Sequence, residues 1–169
     1  VMPGLGGREL SREHALETAD ALNRINADFI RLRTLAIPGR TELAGDREEG
    51  RFEKPTGRET AEEILLFLES LQGIESTVKS DHVLNLFQEV EGKLPGDKEK
   101  MIDPIRRFLA LPPEEQMLFQ VGRRMGYLSE LADLESPSRR AHVESACRTH
   151  GITPDNMDEV IGEIMKRFI

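Results

Sequence analysis

Apolar residues recur along this chain at two spacings, and the switch between them predicts its elements. After a glycine-rich opening, Ser11 is placed to cap a helix carrying Ala15, Leu16, Ala19, Leu22 and Ile25. These positions lie three and four apart and form one stripe. The period then drops to two across Phe29-Ile30-Arg31-Leu32-Arg33-Thr34-Leu35, as in a strand. Val1 to Gly7 reads as the end of an earlier strand and the turn after it. The opening thus predicts strand end, helix, strand, which is most of a βαβ unit and belongs to a parallel sheet.

Ile37 to Lys54 predicts a long loop rich in Gly, Arg and Glu, functional or mobile at that length. Thr56-Gly57-Arg58-Glu59 has capping-box spacing and opens a helix bearing Ala61, Ile64, Leu65, Leu68 and Leu71, ended near Gly73. Ile74 to Lys79 is β-prone, Ser80-Asp81-His82 is a polar cluster, Val83 to Phe87 predicts a short helix, and Gly92 to Gly96 a loop. The remainder predicts helix. Asp97 is placed to cap a helix to Leu109, which Pro104 can kink, and Pro112-Pro113 starts another toward Met125. Ser136-Pro137 and Thr153-Pro154 each set a capping residue before Pro at the first helical position, and Gly151 ends the helix between them. Pro137 to Ile169 therefore predicts a helical hairpin packed as a small C-terminal subdomain. The fold class expected is α+β, mainly helical.

Composition narrows the function classes. The chain has 169 residues, 38% hydrophobic and 32% charged, which suits a folded and strongly solvated domain. Its net charge is -8, and the pairs Arg106-Arg107, Arg123-Arg124 and Arg139-Arg140 lie in acidic surroundings. They read as solvated helix faces, so no nucleic-acid partner is expected. No apolar run approaches about 18 residues, so no membrane span is expected. The single cysteine, Cys147, allows no intrachain disulfide, Cys-rich zinc site or iron–sulfur cluster within the chain. It reads as a small core residue of a cytoplasmic protein. His14 reads as a surface residue, and His142 and His150 lack ligand spacing, so no metal site is expected.

Three groups of residues carry candidate chemistry. Gly4, Gly6 and Gly7 let the backbone approach a ligand closely, or simply make a tight turn. Alternation sets Arg31 and Arg33 on the face opposite Ile30 and Leu32. If that face is enclosed, the guanidiniums need an anionic partner, either a ligand or a protein carboxylate; on an exposed edge they are merely solvated. Ser80, Asp81, His82 and Asn85 could supply acid–base groups and donors to a substrate pocket, while Ser80 or Asp81 would also serve as a helix cap.

Several segments together resemble one family. Gly4-Leu5-Gly6-Gly7-Arg8-Glu9-Leu10-Ser11-Arg12-Glu13-His14 resembles the late strand-to-helix turn of radical S-adenosylmethionine (SAM) enzymes, and Ile25 to Leu35 resembles their last barrel strand. Ser80-Asp81-His82 through Asn85 and Glu91-Gly92-Lys93-Leu94-Pro95-Gly96-Asp97-Lys98 are similar to the tail of one subgroup, iron–sulfur oxidoreductases of unassigned reaction in the elongator-like branch. The resemblance implies a partial (β/α) barrel of six strands. It also implies a 4Fe-4S cluster on Cys-x-x-x-Cys-x-x-Cys, and reductive cleavage of SAM to a 5′-deoxyadenosyl radical.

None of those cysteines is present, so the resemblance makes this chain a C-terminal fragment, inactive alone, whose partner is the missing N-terminal barrel part. Residues 1–90 would end the barrel, 91–135 form a helical extension and 136–169 the hairpin. The glycine turn would lie near the adenine of SAM. The partner of Arg31 and Arg33 would be the cofactor's carboxylate, an anionic substrate, or a protein acid. Exposed strand edges would favour a homo-dimer. Two other readings compete: a non-catalytic helical protein-interaction module, and a stand-alone small-molecule binder using the glycine turn.

Overall fold

The alternation at Phe29 to Leu35 dictates which face of the first strand is buried. Ile30 and Leu32 are both 2% exposed beneath the helices, whereas Phe29 and Arg31 face outward. A computed structural model describes residues 1–165. In it β1 (Phe29–Arg31) runs parallel to β2 (Thr77–Lys79), with Ile30 opposite Val78. β3 (Gly92–Lys93) adds antiparallel to the far side of β2. The ladder is shorter than the alternating run, because beyond Leu32, whose N–H still reaches the Lys79 carbonyl at 2.9 Å, the strands part.

The opening residues adopt turns rather than a strand, yet Val1 bonds as a strand residue would. Its ammonium donates to the Arg31 carbonyl at 2.8 Å, and its carbonyl accepts from the Arg33 N–H at 2.9 Å. This pair flanks Leu32 in the pattern of a parallel ladder. The spatial order is therefore Val1, β1, β2, β3. Helix α1 (Ser11–Ile25) joins Val1 to β1; α2 (Glu42–Glu48) and α3 (Gly57–Ser70) lie between β1 and β2. α1 and α3 pack on one another, and Ala15, Ala19, Ala61 and Leu68 share one core with Ile30, Leu32 and Val78. Both helices thus cover the same face of the sheet.

α4 (Lys98–Ala110) packs on α3 and β3, and α5 (Pro113–Arg124) runs through the middle of the helical half. Phe87, Phe108 and Phe119, from the segment after β2, α4 and α5, meet with ring centroids 5.3 to 5.9 Å apart. These aromatic pairs join the sheet side of the core to the helices. A 3-10 turn (Leu131–Glu135), α6 (Pro137–His150) and α7 (Met157–Met165) follow. Gly122 lets α5 be approached closely: a Cβ there would meet Leu128 at 2.5 Å and Val143 at 2.9 Å.

Several expectations are corrected. The long loop contains α2, capped by Thr41, whose Oγ1 accepts from the Ala44 N–H. Ser11 does not cap α1; its hydroxyl donates instead to Glu63 on α3. Asp97 sits at the start of α4, but its carboxylate turns back to the Lys93 N–H. Ser136 makes no capping bond, and α7 begins at Met157 rather than Pro154, since Asn156 accepts from the Thr153 N–H. Val83 to Phe87 forms turns, not a helix: the carbonyls of Leu84, Asn85 and Leu86 are taken by Thr34, Arg123 and Arg124 rather than by a helical ladder. Among the described residues, α6 and α7 each pack on α5. The expected run of helix to Ile169 falls outside the described residues.

The capping box does form, with Thr56 Oγ1 accepting from the Glu59 N–H at 3.1 Å and Glu59 Oε2 accepting from the Thr56 N–H at 2.8 Å. Gly151 ends α6 at φ 62°, and Cys147 is buried. Among the described residues no helix is long and apolar enough to cross a membrane.

Arg123-Arg124, read as a solvated face, is instead built into the structure. The Arg123 guanidinium donates to the carbonyls of Asn85, Leu86 and Leu128 at 2.9 to 3.0 Å. Burial holds its pKa below the usual arginine range. Replacing it leaves three carbonyls short of a donor. Arg123→Met should therefore lose about 3 kcal/mol of stability in chemical denaturation, whereas Arg106→Met, on an exposed face, should leave the denaturation midpoint essentially unchanged.

Candidate functional site

Parallel strands end on the same side, and the helix that returns between them starts there. In open α/β layers and barrels this is where ligands collect. Here a cleft of about 290 Å³ opens at that place. Leu32, Arg33 and Thr34 come from the end of β1, Ser80 and Asn85 from beyond β2, and Thr56 and Gly57 from the start of α3. Ile37, Ile64, Phe87 and Ile161 give it apolar walls, α7 closing one side.

Its charged lining is the distinctive feature. Arg33, Arg47, Lys54 and Arg124 reach the cleft, against Asp158 and Glu159 from α7. The side chains of Arg33, Arg47 and Lys54 make no hydrogen bond or ion pair with any described residue. Burial pushes the Lys54 ammonium below the usual lysine range, and the positive charges of Arg124 and Arg47 push it further. Arg124 is pushed down to about 10, chiefly by burial. One of its nitrogens bonds the Leu84 carbonyl, while its Nε is buried with no partner. Asp158 lies at the start of α3, its Oδ1 accepting from the Gly57 N–H at 3.0 Å. A Cβ on Gly57 would strike Gln120 Oε1 at 1.7 Å, so α5 packs against the helix start.

The sequence-predicted residues divide. Arg33, Ser80 and Asn85 line the cleft; Gly4, Gly6, Gly7, Arg31, Asp81 and His82 do not. The glycine turn is explained by the chain itself. Gly4 and Gly7 take φ of 86° and 68°, and a Cβ on Gly7 would press on Phe52 at 3.2 Å. The Gly4 N–H donates to Glu63 and the Gly7 N–H to the Gly4 carbonyl, so both donors are occupied. Arg31 pairs with Asp81 at 2.6 Å on an exposed surface, so its partner is a protein acid. The Arg31 guanidinium, by hydrogen bond and charge, holds the Asp81 carboxyl below the usual carboxylate range.

Asn85 is a buried strut. Its amide donates to the Leu32 carbonyl and to Ser80 Oγ, and its oxygen accepts from the Thr34 N–H and hydroxyl. His82 Nδ1 accepts from the Leu84 N–H at 3.3 Å and takes part in the turn.

Sequence reasoning missed Lys54, Arg47, Arg124 and Glu63. No charge signal marked the first two: Arg40, Arg47, Arg51 and Lys54 are interleaved with five acids in the supposed loop, whose net charge is -1. Glu63 sits one helical turn before the buried Phe67, on the inward side of α3. Its carboxylate, 4% exposed, accepts from the Gly4 N–H, the Ser11 hydroxyl and His14 Nδ1 at 3.0, 2.6 and 2.8 Å. His14, expected on the surface, is half-buried against it. Compared with protein-family models, with curated proteins and with solved structures, the chain matches none.

Two expectations follow. Glu63→Leu should release residues 1–10, seen as faster amide exchange at Gly4, with a loss of about 2 to 4 kcal/mol in stability, because three donors lose one buried acceptor. In Arg124→Met, the Lys54 pKa followed by NMR titration should rise toward its ordinary value. The sign follows from removing a positive neighbour, and an unchanged titration would show that the two cations do not sense one another.

Proposed function

We propose that this chain is the C-terminal portion of a radical SAM enzyme, with the cleft on the face where SAM is cleaved. One observation carries the reading. Val1, β1 and β2 stand side by side in sequence order, bonded in the parallel sense, and the intervening helices α1 and α3 cover one face. Sequential parallel strands with helices on a single face are common to the wall of a (β/α) barrel and to one half of a doubly wound sheet, and the resemblance of the opening segments favours the barrel. The other face presents exposed Phe29 and Arg31 with half-buried Thr77 and Lys79, as expected of a wall whose lumen the remaining strands would enclose. The partner this reading requires is the rest of the barrel, added beyond Val1. Without it, the same edge favours pairing with a second copy.

The implied cofactors fit this chain unequally. Thiolates for a 4Fe-4S cluster are absent from it, since Cys147 is its single cysteine and is buried on α6. No step through the cluster is derived from these residues. For SAM, Arg33 is the candidate with a free guanidinium in the cleft, suited to a carboxylate. When bound, SAM supplies a 5′-deoxyadenosyl radical on accepting one electron. This chain's part is then to orient and to exclude water: Asn85 fixes the ends of β1 and β2 against one another, and Leu32, Ile64 and Phe87 keep the cleft wall apolar.

The full-length protein, purified without oxygen and given dithionite, should convert SAM to methionine and 5′-deoxyadenosine. Arg33→Met should raise the KM for SAM about tenfold or more. A reading frame that encodes this chain without Cys-x-x-x-Cys-x-x-Cys overturns the proposal.

A further inference from the structure

Many basic side chains elsewhere on this acidic protein are paired with carboxylates, and those that are not, such as Arg12, Arg40 and Arg148, stand exposed to water. Arg8 pairs with Glu53 and Glu59, Arg51 with Asp46 and Glu49, Arg106 with Glu69 and Glu99, and Arg140 with Glu115 and Glu144. The cleft differs in gathering its cations around a cavity: among the described residues Arg47 and Lys54 have no bonded partner, beside an Arg124 whose Nε is buried and unsatisfied, although acids outnumber bases 31 to 23 over the chain. Like charges gathered against an apolar wall repel one another and lose hydration, a cost that an anion arriving from outside removes.

We infer that the cleft binds an organic anion with an apolar body, its negative group seated among Arg47, Lys54 and Arg124 and its body against Ile37 and Ile64. Asp158 already shows how such a group is received. Its carboxylate occupies the N-terminus of α3, on the Gly57 N–H, where the helix dipole favours negative charge. The ligand's anion would share or replace that seat. SAM is a poor occupant of this seat: an ammonium and a sulfonium outweigh its one carboxylate, so its net charge repels three clustered cations. Its carboxylate is left to Arg33 at the end of β1, and the anion among Arg47, Lys54 and Arg124 belongs to the substrate. As a statement about substrate this rests on the enzyme reading; the binding itself needs neither cluster nor SAM.

Calorimetric titration of this chain with 1-naphthyl phosphate, 1-naphthol and inorganic phosphate tests it. Naphthyl phosphate should bind at least about tenfold more tightly than either other probe, because only it combines charge with an apolar body. Lys54→Met and Arg47→Met should each weaken it about tenfold or more. Arg47 is exposed, so its variant keeps the fold even if the Lys54 variant does not. Asp158→Asn should strengthen binding by removing a competing charge, and added SAM should not displace the probe. Equal binding of naphthol and naphthyl phosphate overturns the inference, as does unchanged affinity in Arg47→Met. Displacement by SAM at equal concentration assigns the cleft to the cofactor and overturns it too. Because this assay involves no cluster chemistry, its failure leaves the SAM-cleavage test standing, and failure of that test leaves this one standing.

Discussion

Parallel pairing of β1 with β2 is the constraint on which the remaining architecture depends. Two parallel strands cannot be joined by a tight turn, so the chain must cross over the sheet and return. The crossover brings α3 across the apolar face of Ile30, Leu32 and Val78, beside α1. It also delivers both strand ends and the start of α3 to one side of the molecule. The cleft is the space left where these three ends meet, and its apolar walls and its cations both arrive by that route.

Electrostatically the protein keeps two kinds of basic residue apart. On its surface, many guanidiniums sit in two- and three-membered groups with carboxylates, arrangements that contribute little to stability and are screened by salt. Arg123 forms a different class, buried but satisfied by three carbonyls, and it fastens the segment after β2 to α5. The cleft cations fit neither pattern. Their charge is only partly hydrated and only partly opposed, which is a state better suited to receiving something than to holding the fold together.

Much of this was legible in the sequence wherever a local rule decided the outcome. The capping box at Thr56 and Glu59, the alternation through Ile30 and Leu32, and Gly151 at the end of α6 each follow from backbone geometry within a few residues. What escaped was set by distant partners. Ser11 looks like a cap until Glu63, fifty-two positions away, claims its hydroxyl. Arg124 looks solvated until the strand ends close over it. Val83 to Phe87 has helical composition, but Asn85 and Arg123 hold its backbone in turns. The glycines at 4, 6 and 7 signalled a special backbone correctly, while the close approach they permit is to Leu35, Pro55, His14 and Phe52 of the same chain.

The way α6 and α7 are attached has a corollary for the cleft. Both helices pack on α5, and among the described residues α7 is also tied by the bond from the Gly57 N–H to Asp158 and by the contact of Gln120 with Met157. Residues of α7 thus both wall the cleft and cover the start of α3, so the mouth of the cavity and the N-terminus of that helix are closed by the same element, through the same carboxylate.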